Sequence, residues 1–419
     1  MRIVKLLKMD PDFNRFRLPK ATLDEKTRVI TVDVEPRKNS RGICPYCGKP
    51  APGYDRLKER FFDFIPVLGH PVRLRYAMRR VECPRCGKIT VEKVPWADGK
   101  SSLCRQFSAF LADWALELPW KSVARRFATT WQKVCQAVEY VVSYGLKHRE
   151  LDGVSAIGVD EVALHKGHHY VTLVYQIDRG MRRLLWIGTE RMKTTLQTFF
   201  DEMGAARKNF AEGIRIVCSD MWRPYLDVIA ECAPSAANVL DRFHVMQIFG
   251  RGIDKVRASE AARLKEEGKP AVLSHSRWCF LKRRENLTEK QGGKLAELLK
   301  MNLKTVRAYL LREEFQKFWD FDNAAEAGLF LDQWLHAASA SRIAPMAQIA
   351  RTLGRHRDLL LNYFRTGKCF NSGIVEGLNR KVNLAIRKSY GFRTLRITEL
   401  AIYQQLGNLP TPKFTHRFW

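Results

Sequence analysis

The stretch VSAIGVDEVAL, residues 154–164, decides how the middle of this chain folds. Its apolar residues predict a short buried strand, with Asp160 at the end of it. Two more strand-like runs follow, HHYVTLVYQID and RRLLWIGTE, joined by a turn at RGM. After a helix from about Lys193 to Arg207 come IRIVCSDMW, a second helix and a fifth strand, AANVLDRFH. This order, β-β-β-α-β-α-β, predicts a mixed α/β sheet.

Acidic residues follow three of these strands: Asp160, Asp220 and Asp241. In a sheet of this order the first and fourth strands can be neighbours, so Asp160 and Asp220 can meet at one edge. Carboxylate oxygens favour Mg²⁺ or Mn²⁺ over zinc, and paired ions ~3.5–4 Å apart are typical of phosphodiester chemistry. Each aspartate taken singly is better explained as a surface acid, but the ordered set favours a metal site that needs a third carboxylate.

The composition points to a polyanionic partner. The chain of 419 residues carries 72 Lys and Arg against 44 Asp and Glu, a net charge of +28, and 46% of it is hydrophobic. Nucleic acid is the first candidate and an anionic membrane the second, because the basic residues are spread along the chain. Without a signal-like N-terminus or a long apolar run, we expect a soluble, cytoplasmic and nucleoid-associated protein.

Two near-identical motifs, CPYCGK and CPRCGK, place four cysteines in pairs: Cys44, Cys47, Cys83 and Cys86. Two such turns predict a closed four-thiolate site for one structural Zn²⁺, with a β-hairpin between them. A redox role for either pair is the alternative, and no thioredoxin-like pattern surrounds it. The other six of the ten cysteines are scattered and are expected to be ordinary thiols.

Helical spacing of apolar residues begins at Leu103 and continues to about Lys147. Pro119 breaks the first helix, and a short helix, the turn at ATT and a longer helix capped by Thr130 follow. This pattern favours a DNA-binding helix-turn-helix, and an ordinary helical connector is the alternative. The side chains expected to face DNA are Lys121, Arg125, Arg126, Gln132 and Lys133.

Between about Lys255 and Gly354 the strand pattern stops and helical periodicity replaces it, with a capping box at Thr288 and Gln291. We therefore expect an all-helical insertion. Its residues Trp278, Trp319 and Trp334 are expected in a buried core, with stacking on an unpaired base as the alternative. The histidines of HKGHHY, at 165, 168 and 169, are interpreted as a hairpin tip and not as metal ligands.

Several motifs together resemble one known family. They are the paired CPxCGK knuckles, IGVDEVALHKGHHYVTLVYQID, SDMWRPYLDVI, VLDRFHVMQ, DKVR and NSGIVEGLNRKVNLAIRKSYGFR. The chain resembles, over nearly its whole length, the DDE transposases of the ISL-three family of bacterial insertion sequences. The resemblance implies an RNase H-like catalytic domain and a metal-binding triad at Asp160, Asp220 and Glu376, with two Mg²⁺ or Mn²⁺ ions per active site.

The segment DRFH resembles an acid-x-x-His element of several transposase superfamilies, so Asp241 and His244 are candidates for catalytic support. A capping aspartate and a structural histidine are the alternative interpretation. Asn371 or Ser372 is expected to cap the helix that carries Glu376. Its polar and basic side chains are expected to bind DNA phosphates: Asn379, Arg380, Lys381, Asn383, Arg387 and Lys388.

The sequence therefore predicts a multidomain α/β protein with five segments. They are a zinc module (1–102), a helix-turn-helix domain (103–150), the first part of an RNase H-like domain (151–256), an all-helical insertion (257–354) and the last part of the RNase H-like domain (355–419). The expected activity is cleavage of double-stranded DNA at terminal inverted repeats and strand transfer into target DNA, by a dimer or larger assembly. The alternatives are a DNA-binding regulator derived from a transposase and a stand-alone metal-dependent nuclease.

Overall fold

The structure is a computed structural model that describes residues 4, 7, 13–165, 169–190, 192–368, 372–388 and 394–412. The chain divides into two compact units. Unit 1 comprises Met1–Glu150 with Lys381–Trp419, and unit 2 comprises Leu151–Arg380. The finer division into five segments remains a prediction.

Unit 1 begins with short strands and one long hairpin. Its strands are β1 (Phe16–Arg17), β2 (Ala21–Leu23), β3 (Ile30–Asp33), β4 (Glu35–Pro36), β5 (Gly42–Ile43), β6 (Pro50–Ala51), β7 (Gly53–Val67), β8 (His70–Cys83) and β9 (Lys88–Val91). The main sheet has the order β2-β3-β8-β7, and β9 pairs with β8. The pairs β1–β4 and β5–β6 form two small separate sheets.

The hairpin expected between the cysteine pairs is β7–β8. Its turn is Leu68–Gly69, with φ of 52° and 79°. Two successive residues at positive φ match the right-handed twist of the paired strands. Leu68 is 92% exposed, so the turn projects an apolar side chain into solvent.

The helices of unit 1 follow this sheet in the chain. They are α1 (Arg105–Glu117), α2 (Trp120–Arg126), α3 (Trp131–His148) and, near the C-terminus, α14 (Leu395–Leu406). The Thr130 side chain accepts a hydrogen bond from the Lys133 N–H, as expected for the cap of α3. The Gln404 amide donates to the Ala112 carbonyl over 2.7 Å, which ties α14 to α1.

Unit 2 is built on a mixed five-stranded sheet of order β12-β11-β10-β13-β14. The strands are β10 (Ala156–His165), β11 (His169–Gln176), β12 (Arg183–Thr189), β13 (Ile216–Ser219) and β14 (Ala237–Leu240). Helix α4 (Lys193–Ala206) connects β12 to β13, and α5 (Arg223–Cys232) connects β13 to β14. The predicted order β-β-β-α-β-α-β and the pairing of its first and fourth strands are confirmed.

One face of this sheet is covered by α4 and α5. Ile157 and Val159 of β10 belong to the same buried cluster as Phe199 of α4 and Val228 of α5. Because successive strand residues point to opposite sides, Gly158 and Asp160 face the other side of the sheet.

The stretch from 255 to 354, all of which is described, contains helices, short turns and loops and no strand. The helices after β14 are α6 (Arg242–Glu266), α7 (Arg277–Leu281), α8 (Glu289–Leu299), α9 (Lys304–Gln316), α10 (Ala324–Ala340), α11 (Ala344–Arg355), α12 (Arg357–Arg365) and α13 (Ser372–Lys388). Short 3₁₀ turns lie at Ala211–Gly213, Arg284–Asn286 and Lys317–Asp320. The capping box of Thr288 and Gln291 is confirmed at the start of α8. Among the helices of the described ranges, none is both long and apolar enough to cross a membrane.

A buried ion pair joins β8 to the end of β9 in unit 1. The Arg79 guanidinium donates two hydrogen bonds to the Glu92 carboxylate from Nε and one from Nη2, at 2.7–3.1 Å. Tyr76 donates its hydroxyl to the same carboxylate over 2.6 Å. Glu92 is only 4% exposed, so this charge depends on its partners to offset the loss of hydration.

Replacing Glu92→Ala is expected to destabilise unit 1 by about 3–5 kcal/mol, because it leaves the Arg79 guanidinium buried and unpaired. Hydrogen exchange of the amides in 76–92 measures this locally. The matched control is Glu35→Ala, which breaks an exposed pair with Arg17 and should cost less than about 1 kcal/mol. If the amides of 76–92 exchanged equally slowly in both variants, the buried ion pair would not be stabilising unit 1.

Candidate functional site

Strand register brings three aspartates of unit 2 to one level of the sheet. Asp220 and Asp241 directly follow β13 and β14, whereas Asp160 lies within β10 and not at its end as predicted, because β10 stays paired with β11 beyond it. Strands β10 and β13 are parallel, with Gly158 opposite Cys218, and β13 and β14 are parallel, with Ser219 opposite Leu240. Continuing each register places Asp160, Asp220 and Asp241 at one level on three adjacent strands. Neighbouring strands are ~4.8 Å apart, so the three carboxylates lie close together.

Helix α13 lies against the same face of β10. A Cβ atom at Gly158 would lie 2.7 Å from Cγ2 of Val375, so only glycine permits this approach of the helix. One turn further along α13, the Asn379 amide donates a hydrogen bond to Oδ2 of Asp160 over 2.6 Å. The helix expected to carry the third acid is thus packed beside the first aspartate.

Asn379 is itself oriented by Tyr175 of β11. The Tyr175 hydroxyl donates to Oδ1 of Asn379 over 2.7 Å, which leaves the amide nitrogen directed at Asp160. Burial raises the pKa of Tyr175 well above its ordinary value, so the hydroxyl keeps its proton as a donor. Sequence reasoning missed Tyr175, because only the pairing of β11 with β10 places it opposite Gly158.

Asp160 occupies a desolvated position. Burial raises the pKa of its carboxyl, and the negative charge of Asp241 raises it further. Hydrogen bonds from the Glu161 N–H and from Asn379 oppose this rise, as does the nearby His244 ring. The carboxylate is therefore held in a low-dielectric environment where a cation stabilises it strongly.

Asp241 and His244 lie at the start of α6. Asp241 accepts a hydrogen bond from the Phe243 N–H over 2.6 Å and caps the helix. The alternative interpretation of Asp241 as a capping aspartate is therefore confirmed. Nδ1 of His244 is 3.5 Å from Oδ2 of Asp241, too long for a good hydrogen bond, and it has no other partner among the described residues.

The nearby Asp241 carboxylate raises the pKa of His244 most, burial opposes this, and Asp160 and Asp220 raise it further. All three aspartates thus raise the pKa of the His244 ring. Their summed negative field favours a cation at this edge of the sheet, which fits a divalent metal held by oxygen ligands.

Glu376 lies in the early turns of α13. Its side chain is 45% exposed and forms an ion pair with Arg380 over 2.5 Å. Within the described ranges, only the four paired cysteines form a group of three or more metal-binding side chains within 4.8 Å of one another. Asp160, Asp220 and Glu376 do not meet that limit, so their assembly around a metal remains a prediction.

Glu376 also lines a cavity of about 1040 Å³ between α6, α7 and the start of α13. We call this cavity the cationic cleft. Its basic lining residues are Arg242, Arg251, Lys255, Arg277, Arg283 and Arg312. The lining carboxylates are Asp254 and Glu376, so the cleft carries a net positive charge.

The four paired cysteines of unit 1 converge as expected. The Sγ atoms of Cys44 and Cys86 are 3.9 Å apart, and those of Cys47 and Cys83 are 3.6 Å apart. A tetrahedral Zn²⁺ with bonds of about 2.3 Å needs sulfur atoms roughly 3.8 Å apart. The cluster therefore has the dimensions of a metal site.

The thiols of this cluster differ in their acidity. A hydrogen bond from the Cys47 N–H lowers the pKa of Cys44 to about 7, whereas burial raises the pKa of Cys86 to about 12. Gly48 and Gly87 follow the two pairs with φ of 68° and 62°, which the tight turns require.

The residues expected to face DNA in α2 and α3 differ in their accessibility. Lys121, Arg125, Arg126 and Gln132 are exposed. Lys133 is partly buried and forms an ion pair with Asp63. DNA contact by these five residues remains a prediction. Lys133 would have to give up its ion pair with Asp63 to contact DNA.

The corresponding residues of α13 also divide into two groups. Arg380, Lys381, Asn383 and Arg387 are exposed. Asn379 donates a hydrogen bond to Asp160, and Lys388 donates one to the Leu116 carbonyl. The expected cap at Asn371 and the hairpin tip at residue 168 lie outside the described residues, as do the side chains of residues 165, 169 and 372.

Replacing Cys83→Ser is expected to lower the bound metal from about one ion per chain to almost none, because it removes one of four thiolate ligands. Elemental analysis of protein dialysed at neutral pH measures the content. Cys135→Ser is the matched control, since Cys135 lies in α3 outside the cluster. Undiminished metal in the Cys83 variant would show that the ion binds elsewhere.

Comparison with known proteins places these features in a family. A family model described as a transposase matches residues 157–402, more than half of the chain. The transposase for insertion sequence element IS1001 of Bordetella parapertussis is 29% identical over 375 residues, covering 88% of this chain and 90% of that protein.

The transposase for IS1557 of Mycobacterium tuberculosis is 30% identical over 412 residues, covering 91% of this chain and 90% of that protein. A solved structure, the Drosophila P element transposase strand transfer complex, aligns with a TM-score of 0.39 and 10% identity, over 71% of this chain and 90% of that chain. A likeness at that level carries no argument about the present fold. The family match and the two bacterial relatives decide the assignment: the chain belongs to the ISL-three family of transposases of bacterial insertion sequences.

Proposed function

We propose that this transposase cuts DNA at the ends of its insertion sequence and joins the freed 3′ ends to target DNA. The observation that carries the proposal is the register of β10, β13 and β14, which places Asp160, Asp220 and Asp241 at one level. The sheet order β12-β11-β10-β13-β14 supports an RNase H-like catalytic domain. The helices between residues 257 and 354 are then the insertion within it.

Asp160, Asp220 and Glu376 are the proposed ligands of two Mg²⁺ or Mn²⁺ ions. Their oxygen donors suit these hard cations. When bound, such ions activate a water or 3′-hydroxyl and stabilise the leaving oxygen of a phosphodiester. The ion pair of Glu376 with Arg380 must open for this role, and a DNA phosphate is the natural alternative partner for the Arg380 guanidinium.

The surrounding residues act on the carboxylates and on the DNA. Asn379, fixed by Tyr175, holds Oδ2 of Asp160 in one orientation. The Asp241 carboxylate raises the pKa of His244, and this ring is proposed to donate a hydrogen bond to a phosphate beside the aspartates. Asp241 lies 3.5 Å from that ring and is level with two of the proposed ligands, Asp160 and Asp220.

Unit 1 is proposed to recognise the terminal inverted repeats. One structural Zn²⁺ at the four paired cysteines would fix the knuckles, and α2 and α3 would serve as a helix-turn-helix. The exposed basic residues Lys121, Arg125 and Arg126 support contact with the DNA backbone. Both element ends must be processed together, so a dimer or larger assembly on DNA is proposed.

Purified protein with Mg²⁺ should cut and join a duplex that carries the ends of its own element. Replacing Asp160→Ala or Asp220→Ala is expected to lower cleavage by roughly three orders of magnitude, because bound metal supplies several kcal/mol of transition-state stabilisation. Asp227→Ala is the control, since Asp227 lies half-exposed on α5. Full cleavage by the Asp160 variant would refute the site.

The same assay decides which acid is the third ligand. The assignment requires that Glu376→Ala loses cleavage as completely as Asp160→Ala, whereas Asp241→Ala retains a measurable fraction. The reverse order would assign the third ligand to Asp241. Cutting without joining would favour a stand-alone nuclease, and specific binding without cutting would favour a regulator.

A further inference from the structure

Trp278 is exposed on the wall of the cationic cleft. Sequence reasoning expected Trp278, Trp319 and Trp334 in a buried core. That expectation is confirmed for Trp319 and Trp334, which are 3% and 2% exposed, and it is wrong for Trp278, which is 52% exposed. An indole is costly to leave in water, so its position beside the cleft calls for an explanation.

The local structure directs Trp278 outward. It belongs to the five-residue helix α7. The two residues that follow Trp278 within this helix, Cys279 and Phe280, are 1% and 0% exposed. These two residues anchor the short helix in the insertion core. Trp278 therefore points away from the core and into the cleft that it lines.

A cation is fixed over the indole ring. The Arg277 guanidinium carbon lies 5.4 Å from the centre of the Trp278 ring. Asp254 of α6 holds that guanidinium through an ion pair of 3.0 Å. The cleft thus holds an exposed indole with a positive charge over its ring, and the phenyl ring of Phe243, also 52% exposed, lines the same cleft.

These features specify the chemistry of a ligand. Six basic side chains against two carboxylates select an anion, and the exposed ring selects a flat aromatic partner. A nucleotide with an unpaired base has both properties, because stacking on an aromatic side chain does not depend on base identity. Bases within an intact duplex are already stacked on each other, so the base must come from a single strand.

We propose that the cationic cleft binds an unpaired segment of a DNA strand, with one base stacked on Trp278 and its phosphates beside Arg277. The proposal rests on the proposed function, since Glu376 lies on the same cleft and would place this strand next to the cut. The cleft then binds the strand once its bases near the cut are no longer paired.

The test uses random-sequence duplexes in buffer without added Mg²⁺ or Mn²⁺ and without a chelator, so that it depends neither on cleavage nor on the element ends and leaves the four-cysteine metal site loaded. One duplex is blunt, and the other carries a five-nucleotide 3′ overhang with 2-aminopurine within it. Wild-type protein should bind the overhang duplex more tightly and reduce the fluorescence of 2-aminopurine by stacking. Ionic strength is held fixed, because backbone binding depends on salt.

Trp278→Ala is expected to weaken binding of the overhang duplex roughly tenfold or more and to abolish the fluorescence change, while binding of the blunt duplex stays the same. Trp278→Phe should recover part of both signals. The control is Leu329→Ala, which removes another exposed apolar side chain, 66% exposed and outside the cleft. Thermal unfolding of each variant confirms that the fold is kept.

An equal loss for both duplexes, or no change in fluorescence between wild type and the Trp278 variant, would overturn the inference. Wild-type protein that binds both duplexes equally would also overturn it. These outcomes are separable from a failure of the proposed function. A protein that cuts and joins element ends but fails here retains its catalytic assignment and loses only the strand-binding cleft.

Discussion

The parallel register of β10, β13 and β14 is the constraint on which the site depends. It sets Asp160, Asp220 and Asp241 at one level on three adjacent strands. Like charges at this spacing repel one another, and burial of Asp160 adds to the cost. Backbone hydrogen bonds of the sheet and the packing of α4 and α5 on its other face hold the strands in place. The resulting negative field explains both the raised pKa of His244 and the fit for divalent cations.

The approach of α13 depends on a single small residue. Gly158 lies two positions before Asp160 on the same face, and any side chain there would meet Val375. With the helix in place, Asn379 reaches Asp160, and Tyr175 reaches Asn379. The chain separates Asp160 from Asn379 by 219 positions, so this network is invisible to local pattern and arises only from the fold.

Much of the architecture could be predicted, because local signals agree with the fold. Alternating apolar runs marked β10 to β14, and the capping chemistry of Thr130 and Thr288 marked two helix starts. The Cys-x-x-Cys pairs marked the four-thiolate cluster. The partners of Asn379 and Lys388 and the exposure of Trp278 could not be predicted, since each depends on neighbours distant in the chain. The proposed role of Glu376 rests on family resemblance alone, and the register of the strands does not supply it.

The proposed catalysis requires a divalent metal bound between Asp160 and Asp220. Anomalous diffraction from crystals soaked in Mn²⁺ locates such an ion directly. We expect a peak within about 2.5 Å of carboxylate oxygens of both Asp160 and Asp220, with Glu376 moved from Arg380 toward it. A fully occupied Mn²⁺ peak elsewhere on the protein, with no density at these two aspartates, would contradict it.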